Sequence, residues 1–223
     1  MPSSRALSGT AFATLLLIAL MMGANHVAAR IAFNHGVDVA TAVVFRSLGT
    51  AMVVAVILLS QRVVWRLSPR HKRMLPVIGL LIGLQSLCLY SAVARLPVAL
   101  ALLAFNTYPI WTAFWAWAIY RQTPERPMLM AMPVILLGLA LALDVLGAAS
   151  GLGASGQWAR IGVGVAFASA AAGTFALAMV LTQHEAGDLD GRVRTFTTMA
   201  IAGHIGLIST FFQGGFHLPN ATM

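Results

Sequence analysis

Seven long apolar segments, with the cations sorted between them, constrain this chain more than any other feature. They lie near 11–33, 39–59, 75–94, 98–120, 129–146, 162–181 and 196–212. Each approaches the ~20 residues that a helix needs to cross a hydrocarbon layer of ~30 Å. Apolar residues run all round each segment instead of forming one stripe, as in helices solvated by lipid and by one another. Ten of the fourteen Lys and Arg residues fall in the N-terminus and three alternate connections. These are Arg5, then Arg62, Arg66, Arg70, Lys72 and Arg73, then Arg121 and Arg126, then Arg192 and Arg194. The positive-inside rule then predicts a cytoplasmic N-terminus, outward connections at 34–38, 95–97 and 147–158, and an outward tail at 213–223.

With 59% hydrophobic and 9% charged residues, the chain is not an ordinary soluble domain, where charged residues run near ~25%. A net charge of +8 raises nucleic acid as a partner. The cations form no single stripe, however, and sit beside apolar spans, where anionic lipid attracts them. The expected partner is therefore the lipid bilayer and not a nucleic acid. The chain has one cysteine, Cys88, which leaves no disulfide framework and no multi-cysteine metal site. The apolar run beginning at Ala11 continues past Ala32, so it reads as an uncleaved first span and not as a signal peptide.

Several functions fail on residue type. The one lysine, Lys72, lies in a connection, so a rhodopsin-like Schiff base has no intramembrane amine. His184-Glu185 is followed by Ala-Gly-Asp and not by the spacing of a zinc protease helix. No Gly-rich loop ending in Lys-Ser or Lys-Thr is present to cradle a nucleotide. Neither an enzyme nor a resident cofactor or metal is expected.

The Gly/Ser-rich stretch from Gly147 divides the chain into residues 1–147, a linker at 148–160, and residues 161–223. The two units begin alike. Gly23 and Gly173 sit at similar depth, and the connections Asn34-His-Gly-Val-Asp38 and His184-Glu-Ala-Gly-Asp188 follow. An odd number of spans puts these connections on opposite faces, as in an inverted-topology repeat. The expected fold class is an all-α membrane bundle of inverted five-span repeats, with the second repeat incomplete at two spans.

The run from Tyr90 through Arg95-Leu-Pro97 to Asn106-Thr-Tyr-Pro109, the tryptophan-rich stretch after it and Glu125-Arg126-Pro127 carry the most specific pattern. This order resembles the EamA-type exporters of the drug/metabolite transporter superfamily. Phe45-Arg46-Ser-Leu-Gly-Thr-Ala51 is similar to the Arg-containing second span of that family. The resemblance implies ten spans in two inverted repeats, both termini cytoplasmic, and efflux of a small solute. Against that pattern the chain reads as truncated after seven spans.

Ionisable groups in a bilayer are costly, by ~2.5–3.5 kcal/mol on insertion scales, so each needs a partner or a task. Arg46 lies about seven residues into the second span, roughly 10 Å deep at 1.5 Å per residue. Arg30 and Asp144 are expected to form a structural ion pair in an outer-half polar cluster with Arg46, with Asp38 at its rim. Asn25, His26, Gln85, Tyr90, Asn106, Thr174 and His204 are polar groups at mid-span depth, and all of them except Gln85 join Arg46 and Trp115 in the candidate substrate site. For each of them interhelical hydrogen bonding is the structural alternative. The spacing Gly79-Leu-Leu-Ile-Gly83 reads as a close-packing motif. The resulting expectation is a secondary transporter of the cell (inner) membrane that exports a small metabolite or drug-like solute by alternating access. A non-transporting or partner-dependent subunit is the alternative, and homo-oligomerisation stays open.

Overall fold

The computed structural model describes residues 9–123, 126–144, 146, 148–149, 151 and 153–218. Arg5, Glu125 and parts of the 148–160 and 161–223 units therefore lie outside the described residues. The elements are α1 (Gly9–Asn34), α2 (Val39–Ser60), α3 (Pro69–Arg95), α4 (Val98–Phe105), α5 (Tyr108–Tyr120), α6 (Arg126–Ala142), α7 (Gly153–Glu185) and α8 (Gly191–Phe212). No strand occurs among the described residues. Among the described residues, six helical runs are long and apolar enough to span a bilayer, with α4 and α5 together forming one of them. The 17 residues of α6 reach roughly 25 Å, short of the ~30 Å hydrocarbon core. The chain is an all-α, multi-span helical membrane bundle.

Local chemistry explains where the helices begin and break. Asp38 caps α2 by accepting the Thr41 N–H at 2.8 Å. α3 starts six residues before the expected 75, because Ser68 and His71 form a reciprocal cap. The Ser68 hydroxyl accepts the His71 N–H at 3.2 Å, and His71 Nδ1 accepts the Ser68 N–H at 3.3 Å. Histidine here takes the place usually filled by Glu or Gln.

The fourth span breaks at Asn106–Thr107, since Pro109 has no N–H to continue the ladder. Thr107 closes the first half with its N–H and its hydroxyl on the Ala104 carbonyl, at 3.2 and 2.8 Å. The expected flexible linker at 148–160 is corrected in its second half, because helix begins at Gly153. Gln157, buried in the first turns of α7, donates to the Leu143 carbonyl at 2.8 Å and ties this segment to the end of α6.

α3 is the centre of the bundle, packing most extensively on α7 and α8, while α8 also lies along α2. Glycines permit that proximity. A Cβ at Gly79 would lie 2.7 Å from Ile201 Cβ, and one at Gly83 would lie 2.7 Å from Ile205 Cδ1. On the other face of α8, a Cβ at Gly203 would lie 2.3 Å from Leu48 Cδ2. The Gly79–Gly83 spacing therefore serves helix packing. α1 stays peripheral, with Leu16, Leu20, Met21 and Met22 exposed for lipid to cover.

The basic connections share one end of the bundle. There Arg192 bonds Gln61, Arg70 meets Glu185 at 2.6 Å, and Gln122 meets His184 at 2.9 Å. The 34–38 turn lies at the opposite end, where His217 bonds Asp38 at 3.0 Å.

Candidate functional site

Tyr90 organises the polar interior. It lies on α3 and is 2% exposed, and Asn25 on α1 donates to its hydroxyl at 3.3 Å. His26 approaches edge-on with ring centroids 6.0 Å apart, and Phe33 does the same at 5.8 Å. Arg46, on α2, holds its guanidinium carbon 5.6 Å from the Tyr90 centroid and donates to the Ser86 hydroxyl at 3.2 Å. Ser86 and Tyr90 are four apart and so share one face of α3. Ser86 in turn donates to Gln85 at 3.4 Å. A cleft of about 260 Å³ opens beside this group, lined by Ile18, Met21, Met22, Asn25, His26 and Arg46. Beside it His26 Nδ1 is buried with no hydrogen-bond partner among the described residues.

Among the described residues no carboxylate pairs with Arg46. A guanidinium deep in a span, held by a hydroxyl and an aromatic face, keeps its charge uncompensated. It can accept a bidentate carboxylate or phosphate. No group of three or more His, Cys, Asp or Glu side chains among the described residues is placed to hold a metal ion.

Of the residues expected in one site, the structure brings together Asn25, His26, Arg46 and Tyr90. The other four lie elsewhere. Trp115 Nε1 donates to the Gly173 carbonyl at 3.1 Å, and Thr174 bonds back to the Ala170 carbonyl at 2.8 Å. The first bond ties α5 to α7, and the second lies within α7 itself. Asn106 sits exposed at the break of the fourth span. His204 is exposed on α8 and bonds its own Ala200 carbonyl at 2.7 Å. Sequence reasoning passes over Ser86, although its position one turn before Tyr90 is a readable signal.

The expected Arg30–Asp144 ion pair is corrected. Arg30 Nη1 donates to the carbonyls of Val93 and Ala94, both at 2.7 Å. α3 ends at Arg95, and its last carbonyls lack intrahelical donors, so a cation at that terminus is doubly favoured. Asp144 accepts the Ala149 N–H at 3.1 Å and borders a separate cavity of about 350 Å³ with Arg95, Gln157 and Arg160. Asp38 lines a polar vestibule of about 590 Å³ with Asn34, Ser91, Arg95 and Gln213. Phe33 borders that vestibule and also packs edge-on against Tyr90, with ring centroids 5.8 Å apart.

A scan against protein-family models matches residues 9–143 to the EamA-like transporter family, more than half of the chain. The chain belongs to the EamA-like transporter family. Neither the curated proteins nor the solved structures yield a match. Membership makes this EamA-like chain a multi-pass protein of a membrane transporter family, and that family is not an enzyme family. The matched region contains the whole Asn25–His26–Arg46–Tyr90 group, while Thr174 and His204 fall beyond it.

Proposed function

We propose that this EamA-like chain is a secondary transporter that exports a small anionic or zwitterionic solute, of metabolite or drug-like size, by alternating access. The N-terminus and basic connections face the cytoplasm, and the protein resides in the cell (inner) membrane. The observation that carries this reading is Arg46, a cation at span depth whose partners are the neutral Ser86 and Tyr90. A carboxylate on the solute would complete its shell, while Asn25 and His26 supply directional polar contacts from α1. The apolar wall of Ile18, Met21 and Met22 suits the remainder of such a solute.

The test is uptake of a radiolabelled panel of amino acids and short monocarboxylates into inside-out proteoliposomes. Arg46→Gln is expected to lower the rate for accepted solutes about tenfold, the loss of a charge-assisted hydrogen bond. Transport that is unchanged in both Arg46→Gln and His26→Ala would refute the assignment.

A further inference from the structure

The end of the bundle bearing the basic connections is tied through one carboxylate. Glu185, the last residue of α7, accepts from Arg70 Nε on one oxygen and from the Tyr120 hydroxyl on the other, both at 2.6 Å. Arg70 opens α3 and Tyr120 closes α5, so this one side chain joins three spans at their tips. His184 reinforces the junction. Its ring stacks on Tyr120 with centroids 3.9 Å and planes 10° apart. His184 Nδ1 lies 2.9 Å from the Val180 carbonyl and its Nε2 lies 2.9 Å from the Gln122 amide nitrogen. A neutral ring that donates from Nδ1 and accepts at Nε2 satisfies both contacts. Arg70 also donates to the His184 carbonyl.

The opposite end has another character. There α7 meets the end of α3 where a Cβ on Gly164 would lie 2.5 Å from Leu96 Cγ. That contact is apolar and tight, so it admits rotation of α7 about the point more readily than separation. The same end carries the vestibule of about 590 Å³. The basic end is instead sealed by buried Leu75, Ile78, Ala178 and Val193 beneath the Glu185 junction. Polar ties that water can replace at the membrane surface hold one end of α7 against α3 and α5, while nearer its other end α7 meets α3 through this apolar contact and α6 through the Gln157 bond.

We propose that Arg70, Glu185 and Tyr120 form the gate that closes the transport pathway at the basic end. Glu185 is the positioning residue that holds the end of α7 against both α3 and α5. Opening exchanges its two hydrogen bonds for water and swings the basic end of α7 away from α3 and α5 about the Leu96–Gly164 contact. This rests on the transporter reading above, but it does not depend on Arg46 or on the identity of the solute.

The experiment uses a membrane-impermeant maleimide and a reporter thiol, Ala178→Cys, in a Cys88→Ser background. Ala178 is 1% exposed and lies two turns, about 10 Å, from Glu185. Vesicles of both orientations separate the two sides. Glu185→Ala is expected to raise labelling from the basic-end side about tenfold, with no change from the other side. Tyr120→Phe keeps the ring stacked on His184 and removes one hydrogen bond, for a rise of about threefold. Arg70→Glu combined with Glu185→Arg is expected to restore protection. Unchanged basic-side labelling in folded Glu185→Ala, or an equal rise from both sides, would overturn the gate. If Glu185→Ala does not fold, Tyr120→Phe decides by the same criteria. Loss of transport in Arg46 variants leaves this result standing, and the converse also holds.

Discussion

Arg46 lies over the face of Tyr90, 5.6 Å from the ring centroid, and the hydroxyl of that same ring accepts from Asn25 on another span. One buried tyrosine thus serves two helices with two different parts of its side chain. Tyr90→Phe keeps the face and loses the hydroxyl, which is expected to cost under about 1 kcal/mol because interhelical hydrogen bonds in membranes average ~0.6. Tyr90→Ala removes the whole ring from a closed core and is expected to cost about 3–5 kcal/mol. Reversible unfolding in mixed micelles measures both. Equal losses would show that the hydroxyl, and not the ring, holds the group together.

The glycines divide into two classes with opposite expectations. At Gly79, Gly83 and Gly203 an added methyl would fall within 2.7 Å of a neighbouring side chain, and alanine should destabilise by about 1–3 kcal/mol through overpacking. At Gly23 and Gly49 a methyl would meet nothing within 4 Å. Alanine there should be neutral or stabilise by up to ~1 kcal/mol through helix propensity. The contrast is read from the midpoints of the same unfolding curves, and a uniform response across all five positions would contradict the packing described.

How much was legible in the sequence follows from the range of the forces involved. Span positions were legible because the hydrocarbon layer imposes a length, whereas the break before Pro109 was not, since Pro76 and Pro133 also lack an N–H and lie inside continuous helices. The early start of α3 was hidden, since Arg70, Lys72 and Arg73 look like a solvated connection and His71 is an unusual capping partner. An acidic partner is the natural expectation for Arg30 because charges attract, yet the nearest acceptors are helix-terminal carbonyls, which carry no residue-type signal. The Glu185 junction joins residues 65 and 115 positions apart, and no local pattern announces such a meeting. Asn25, His26, Arg46 and Tyr90 are recognisable as polar groups at depth, but only packing on α3 separates them from Asn106 and His204.

Because Arg30 is held by α3 carbonyls, it and Asp144 should behave independently. A double-mutant cycle of Arg30→Gln and Asp144→Asn is expected to be additive within about 0.5 kcal/mol. A coupling of about 1 kcal/mol or more, measured by unfolding, would restore the ion pair that the geometry disfavours.

Acid should loosen the start of α2. Partial burial pushes the Asp38 carboxyl upward, but hydrogen bonds from Thr41 and His217 outweigh it and hold the group below its ordinary range. A carboxyl depressed in the folded state contributes its stability fully above the unfolded value of ~3.9, and that contribution is lost as pH falls through the folded value. Melting temperature should therefore drop as pH is lowered below about 4, and Asp38→Asn should flatten this limb. Asp38→Ala should in addition lose about 1 kcal/mol of capping at neutral pH. An acid limb identical in wild type and Asp38→Asn would remove Asp38 from the account.

α1 has 26 residues, about 39 Å at 1.5 Å per residue, and must lean to fit a hydrocarbon layer of ~30 Å. Only His26 and Ala29 of this helix are buried, so few protein contacts fix that lean and membrane thickness sets much of it. Ile18, Met21 and Met22, which wall the cleft beside Arg46, move with the helix. Acyl-chain length thereby becomes a variable of the cleft's shape, and the same polypeptide in a thinner or thicker membrane presents a different wall to the proposed solute.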